Sequence, residues 1–142
     1  KNKRYNELHL LTYHKGRISC LKGNEDDLTL AFLDINPISD GHTLVIPKLH
    51  ESRLENLPEK YSDALFRTVR RLVGPIQVAV NAPSSNIGIN NGGEAGQVIQ
   101  HIHVIPRDGS KPAWRNELKR ALPRSGEYFK DVVQKIREEI ES

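Results

Sequence analysis

Two histidines separated by a single residue are the clearest chemical signal in the chain. His101 and His103 lie in an apolar, β-prone run at residues 98–105, which predicts a strand. Successive side chains of a strand point to opposite faces, so both imidazoles project from the same face. Two neighbouring imidazoles can share phosphoryl transfer, because one ring attacks phosphorus while the other handles the leaving group's proton. The same spacing also suits two polar residues on a solvated strand face.

A glycine-rich segment directly precedes this strand. Residues 90–97 contain three glycines, Gly92, Gly93 and Gly96. Without a Cβ, their backbone amides can approach an anion closely and direct N–H groups towards it. By itself the segment also fits an ordinary hairpin turn. Next to two histidines it favours a phosphate site beside the imidazoles.

The rest of the chain predicts the elements that position these groups. Apolar runs at residues 27–33 and 43–47, separated by turn formers at 36–41, predict an antiparallel hairpin. Residues 86–89 predict a short strand before the glycine-rich loop. After Pro58, apolar residues recur at helical spacing: Tyr61, Leu65, Val69, Leu72 and Ile76. Because an interior proline costs about 3 kcal/mol, we expect this main helix to end or kink at Gly74-Pro75.

A second helix is predicted at the end of the chain, over residues 125–141. Ser125 can cap it, and its apolar side chains form one stripe: Phe129, Val132, Val133, Ile136 and Ile140. The order of elements predicts an α+β fold. In this fold an antiparallel sheet of about five strands is covered on one face by the main helix, with the C-terminal helix beside it.

The composition of the chain argues against several classes of protein. The 142 residues are 37% hydrophobic, which suits a single domain over residues 1–142. The net charge of +3 comes without a basic stripe interleaved with aromatics, so a small anionic ligand fits better than a specific nucleic acid. No apolar run predicts a membrane span or a signal peptide. The single cysteine, Cys20, predicts no intrachain disulfide, and we expect a cytoplasmic protein.

Four blocks of sequence together resemble a known family. They are residues 30–37, residues 41–48 with His50, residues 90–97, and the run from His101 to Arg107. Their order and spacing are similar to those of the histidine-triad superfamily of nucleotide hydrolases and transferases. The best-matching region covers about residues 27–107. The resemblance implies the histidine-triad fold and a homodimer in which two short sheets join into one.

The defining motif departs from the family pattern, which has three alternating histidines where this chain has two. Counted from Gln97, His101 and His103 are the first and second triad positions; counted from Pro106, they are the second and third. The chain contains no methionine. Two methionines, one on each side of Gln100, would restore the family length and place glutamine at the first position. We adopt the count from Pro106.

The resemblance then implies a role for each matching residue. His101 is the nucleophile, His103 contacts the departing atom, and Gln100 helps to orient them. The α-phosphate lies near Asn90, Gly96, Gln97 and Val98. Asp34 binds the ribose hydroxyls, and Phe32 and Ile35 form walls of the base pocket, although plain core packing explains these two equally well. Asp34 also stands out independently, because a carboxylate between apolar strand positions needs a polar partner.

No metal or other cofactor is expected. Zinc-binding relatives use four ligands, and only Cys20 and His50 match such positions here. His42 follows Gly41 at a family position, where we expect a structural rather than a catalytic role.

The function implied is hydrolysis of a diadenosine polyphosphate or an adenosine phosphoramidate through a covalent nucleotidyl-histidine. We expect residues 112–115 and the following tail to select the substrate. Two alternatives stay open: a nucleotide-binding module without catalysis, and a nucleotidyltransferase that uses an acceptor other than water.

Overall fold

The computed structural model describes residues 28–34, 37–95, 101–110 and 126–141. Several residues singled out by the sequence lie outside these ranges. They are Cys20, Ile35, Gly96, Gln97, Val98, Gln100, residues 112–115 and Ser125.

The described strands form one antiparallel sheet. Its strands are β1 (Thr29–Leu33), β2 (Thr43–Pro47), β3 (Ser84–Ile89) and β4 (Ile102–Arg107). They lie in the order β1-β2-β4-β3, and every neighbouring pair is antiparallel. The α+β class and the predicted hairpin of β1 and β2 are confirmed. Within the described ranges the sheet has four strands rather than about five, and β4 extends two residues beyond the predicted end at residue 105.

A tight turn between β1 and β2 places His42 at the start of β2. Gly41 adopts φ +82°, and a Cβ there would lie 3.0 Å from the Val80 side chain, so this position requires glycine. The His42 N–H donates to the carbonyl of Ser39 at 3.1 Å, and the Asp34 N–H donates to the carbonyl of His42 at 2.8 Å. The strand pairing therefore continues past β1 as far as Asp34.

One face of the sheet is covered by the main helix, α1 (Glu59–Ala79), as predicted. Alternate strand residues pack against its apolar side to form the core; the strand members are Ala31, Leu33, Val45, Ile102 and Val104, and the helix members are Leu65, Val69, Leu72 and Ile76. The intervening residues of β2 and β4, His103 among them, belong to the opposite face.

The prediction that α1 ends at Gly74-Pro75 is wrong, because the helix continues to Ala79 with Pro75 inside it. Proline removes the hydrogen bond to the carbonyl of Arg71, but Arg71 is exposed and water can replace that donor. Ile76, the next residue, is fully buried. Burying such a side chain contributes roughly 1.5–3 kcal/mol, which offsets much of the cost of the proline.

The second helix, α2 (Gly126–Glu141), packs beside α1. Its predicted stripe is confirmed, since Phe129, Val132, Val133 and Ile136 are buried in the same core. The predicted cap, Ser125, lies outside the described residues. Neither described helix has the length and apolar character needed to cross a bilayer.

Candidate active site

Strand pairing brings Asp34, His42 and His103 together on the face of the sheet opposite α1. His103 pairs with Leu44, and His42 lies two residues before Leu44 on the same face. Asp34 bonds through its backbone to His42 and stands beside it. All three side chains are buried. Their polar groups must therefore find partners within the protein.

The three histidines form a continuous chain of hydrogen bonds. His42 Nε2 lies 3.0 Å from His103 Nδ1, and His103 Nε2 lies 3.0 Å from His101 Nε2. The rings of His101 and His103 meet edge to face, with centroids 4.6 Å apart. The chain runs outwards from fully buried His42 to half-buried His101. A ligand approaching from solvent therefore meets His101 first.

A single backbone contact assigns the protons along this chain. The Ile38 N–H donates to His42 Nδ1 at 3.1 Å, so this nitrogen must carry a lone pair. A neutral imidazole has one N–H and one lone pair, which places the proton of His42 on Nε2, where it is donated to His103 Nδ1. The proton of His103 is then on Nε2 and is donated to His101. In the neutral chain, His101 Nε2 therefore holds a lone pair.

Asp34 is the acidic member of the cluster. Its side chain is about 6% exposed, and Oδ2 lies 3.7 Å from His42 Nε2, which is longer than a hydrogen bond but close for an electrostatic contact. The sequence indicated that this carboxylate needs a polar partner, and the ring of His42 lies beside it at a distance that suits an electrostatic contact but not a hydrogen bond.

The same cluster has the residue types of a metal site. Asp34, His42 and His103 each offer one ligand atom, and these atoms lie within 4.8 Å of one another. A histidine that binds a metal almost always donates the N–H of its other ring nitrogen. His42 Nδ1 instead accepts the Ile38 N–H, so binding a metal through Nε2 would require an imidazolate. The donor geometry of these residues does not fit a resident metal.

Asn90 lies at the exposed end of the histidine chain. Ile89, the last residue of β3, pairs with Ile102, the first residue of β4. Asn90 follows Ile89 and His101 precedes Ile102, so both leave the sheet at the same end of this strand pair. Asn90 is exposed there.

Of the other predicted site residues, some lie within the described ranges and some lie outside them. Phe32 lies on the histidine face, because it pairs with Leu44, but only 2% of its surface is exposed. The predicted phosphate contacts Gly96, Gln97 and Val98, the base-pocket residue Ile35 and the orienting residue Gln100 lie outside the described residues. His50, one of the two zinc candidates, is exposed on the loop after β2.

His42 joins the histidine chain although its position in the sequence did not indicate this contact. We expected a structural role, and the structure places its ring in direct contact with His103. The signal was available, because an antiparallel pairing of residues 43–47 with the histidine strand can align His42 with the same face. The register was not predictable from the chain alone, since a shift of one residue would reverse the face.

A cavity of about 210 Å³ lies at the opposite end of β4 from His101. Its lining includes Ser39, Asp40, Pro106, Arg107 and Ser110, and none of the three histidines. It is therefore separate from the histidine chain.

Comparison with known proteins identifies the family. The HIT domain matches residues 15–110. The chain is 44% identical over 105 residues to adenylylsulfatase HINT3 of Arabidopsis thaliana, covering 72% of this chain and 53% of that protein. It is 41% identical over 95 residues to the adenosine 5'-monophosphoramidase hnt1 of Schizosaccharomyces pombe, covering 66% of this chain and 68% of that protein. The chain thus spans about half the length of the Arabidopsis relative.

A solved structure agrees with this match. A hypothetical histidine triad nucleotide-binding protein from Sulfolobus tokodaii superposes with a TM-score of 0.72 at 34% identity, covering 88% of this chain and 83% of that one.

Proposed function

The chain belongs to the histidine-triad (HIT) family, and we propose that it hydrolyses an adenosine nucleotide whose α-phosphate carries a leaving group. Two relatives support this activity, since one is named an adenylylsulfatase and the other an adenosine 5'-monophosphoramidase. Both names describe cleavage of a bond between AMP and a small leaving group. Adenosine phosphoramidates and diadenosine polyphosphates are the two substrate classes that the sequence resemblance implies.

The observation that carries the proposal is the chain of hydrogen bonds from the Ile38 N–H through His42 and His103 to His101, from which we infer a lone pair on His101 Nε2. When substrate binds, the hydrogen bond from His103 Nε2–H to His101 Nε2 opens, which frees the His101 lone pair for attack and the His103 N–H for the leaving group. His101 Nε2 attacks the α-phosphorus and forms a P–N bond, while the bond to the leaving group breaks and the departing atom takes its electron pair and a proton from His103 Nε2. Water then attacks the same phosphorus, one of its protons returns to His103, the P–N bond breaks, and AMP leaves with the His101 lone pair restored.

The remaining contacts follow the residue roles predicted from the sequence. Asn90 and the amides of Gly96, Gln97 and Val98 bind the phosphoryl oxygens, and each such donor contributes about 2.7–4 kcal/mol at comparable oxyanion sites. Gln100 orients the histidines, Asp34 binds the ribose, and Phe32 and Ile35 line the base pocket. The pairing of Ile89 with Ile102, which places Asn90 and His101 at the same end of the two strands, supports this arrangement.

A homodimer and a cytoplasmic location are part of the same proposal. Among the described strands, β3 is at an edge of the sheet and carries Ile87, which is 49% exposed. The backbone N–H and C=O groups along an edge strand, beside an exposed apolar side chain, favour pairing with a second copy. Sedimentation of Ile87→Glu should give a monomer where the unchanged protein gives a dimer; two monomeric proteins would refute the dimer.

The test of function separates hydrolase, transferase and binding module. The protein is incubated with an adenosine phosphoramidate or a diadenosine polyphosphate, and AMP is measured. Release of AMP in water alone supports the hydrolase. Release only with an added phosphate or sugar acceptor indicates a transferase, and tight binding without turnover indicates a binding module. Either of the last two results would refute the proposed activity.

A further inference from the structure

Four polar side chains join the segment after β2 to the segment after β3. We call Arg53, Glu55, Asn91 and Glu94 the loop clasp. Asn91 is its centre: Oδ1 accepts the backbone N–H of Leu54 at 2.7 Å, and Nδ2 donates to Glu55 Oε2 at 2.8 Å. Leu54 begins a 3-10 turn, Leu54–Asn56, that has no side-chain cap of its own. Asn91 therefore caps this turn from 37 positions further along the chain.

A backbone hydrogen bond and an ion pair also join the segment after β2 to the segment after β3. The Gly92 N–H donates to the carbonyl of Ser52 at 3.0 Å. Arg53 Nη2 lies 3.4 Å from Glu94, and Nη1 lies 3.3 Å from Glu55. Gly92 adopts φ +89°, and a Cβ there would lie 2.9 Å from Arg53 Nη2. The positive φ at this position favours glycine, and the absence of a Cβ lets the guanidinium lie close to the backbone.

The loop clasp fixes the residue after Asn90, just as β3 fixes the residue before it. Ile89 is held by its pairing with Ile102 in β4. Asn91 is held by two side-chain hydrogen bonds to the turn at residues 54–56. Asn90 lies between these two anchors, at the end of the β3–β4 pair from which His101 also emerges. A change at Asn91 therefore weakens one of the two constraints on Asn90.

We propose that Asn91 is a positioning residue, which holds Asn90 at the distance from His101 at which it contacts the α-phosphate. This inference rests on the proposed function and adds a residue to it. Asn91 touches no substrate and acts through Asn90. A displacement of about 1 Å in a positioned group can cost roughly 100-fold in rate. Exposed polar pairs contribute little to stability, so the effect should appear in turnover rather than in folding.

The titration of Glu55 offers a readout independent of activity. The hydrogen bond from Asn91 is the main reason that the pKa of Glu55 lies below its ordinary value of 4.5. Asn91→Ala should therefore raise this pKa towards 4.5. An NMR titration of the Glu55 carboxyl measures the change without any substrate.

The main experiment compares Asn91→Ala with Asn90→Ala and with the double variant, using an adenosine phosphoramidate. We expect Asn91→Ala to lower kcat/KM by about 10- to 100-fold, mostly through kcat, with Tm unchanged. Because Asn91 acts through Asn90, the double variant should be no slower than Asn90→Ala alone. Asn56→Ala changes another exposed asparagine of the same turn and should keep the activity of the unchanged protein.

Exchanging the amide and the carboxylate between residues 91 and 55 tests the hydrogen bond from Asn91 to Glu55. Asn91→Asp keeps an acceptor for the Leu54 N–H but places a carboxylate against Glu55, so its activity should fall at least as far as that of Asn91→Ala. Adding Glu55→Gln removes the repulsion and supplies a donor to the introduced carboxylate. The double variant Asn91→Asp/Glu55→Gln should recover most of the lost kcat.

Three results would overturn the proposal: an Asn91→Ala variant as active as Asn56→Ala, a loss that adds fully to that of Asn90→Ala, or no recovery on adding Glu55→Gln. A protein that turns over no adenosine nucleotide refutes the proposed function instead. In that case the affinity for AMP replaces kcat/KM in the same variants, and AMP binding unaffected by Asn91→Ala then refutes the positioning role.

Discussion

Two polar networks lie near the same end of β3 and β4, and they differ in burial and in the cost of losing a partner. The chain of Asp34, His42 and the two triad histidines lies on β4 and at the ends of β1, β2 and β4, and all of its members except half-buried His101 are buried. The loop clasp lies on exposed turns, and its ion pairs are open to solvent. A buried polar group left without a partner costs about 1–3 kcal/mol, whereas an exposed ion pair is worth about 0–1 kcal/mol.

The two networks therefore have different roles. Because its groups cannot exchange partners with water, the buried network fixes which nitrogen carries each proton. The exposed network cannot set a protonation state in this way, but it fixes where the backbone passes. Variants of the first should change both stability and chemistry, and variants of the second should change chemistry with little change in stability.

The largest expected effect is at the outer end of the buried network. His101→Ala removes the attacking lone pair, so turnover of an adenosine phosphoramidate should be abolished. Affinity for AMP should stay within several-fold, because the other contacts provide most of the ground-state binding. Kinetics and calorimetry on the same preparation measure both. Substantial remaining activity, together with an inactive His103→Ala, would exchange the roles of the two histidines.

His103→Ala should be the next most severe change. Loss of the group that contacts the departing atom should lower kcat by about 10²- to 10⁴-fold on a phosphoramidate. A substrate that releases sulfate, a better leaving group, should recover part of this loss. An equal loss on both substrates would show that His103 does not act on the leaving group.

The buried carboxylate of Asp34 contacts His42, and variants at this position test whether it also binds the ligand. If it accepts the ribose hydroxyls, a 2'-deoxyribonucleotide should bind about 1–3 kcal/mol more weakly, or roughly 5- to 150-fold. Asp34→Ala should remove the discrimination between the two ligands. Equal affinity of the unchanged protein for both would restrict Asp34 to its contact with His42.

The smallest expected effects are on the free energy of unfolding, which compares the two networks directly. His42→Phe leaves the Ile38 N–H and His103 Nδ1 without this partner, so we expect a loss of about 1–3 kcal/mol in the free energy of unfolding. Arg53→Ala removes only exposed contacts and should leave the urea midpoint unchanged. Equal midpoints for the two variants would contradict the distinction between the buried and exposed networks.

Much of the fold was predictable because local patterns determine it. An apolar, β-prone run beside turn formers predicted β2 with the observed bounds, and the helical stripe of α2 is buried as expected. The path of α1 through Pro75 was not predictable, because the tertiary burial of Ile76 outweighs the local penalty.

The site was predictable only in part, for a similar reason. The spacing of His101 and His103 indicated a shared face. The partnership of His42 with His103 depends on the strand register, and the contact between Asn91 and Glu55 depends on how two turns meet. Neither arrangement leaves a periodic pattern in the sequence.

The attack of His101 on the α-phosphate is tested most directly by locating the intermediate. The protein is mixed with an adenosine phosphoramidate, quenched in alkali during the first turnover, digested, and mapped by mass spectrometry. The account predicts one adenylyl group, attached to His101 and absent from His101→Ala. An adenylyl group on any other residue, or AMP formed by the unchanged protein with no adduct on His101, would contradict it.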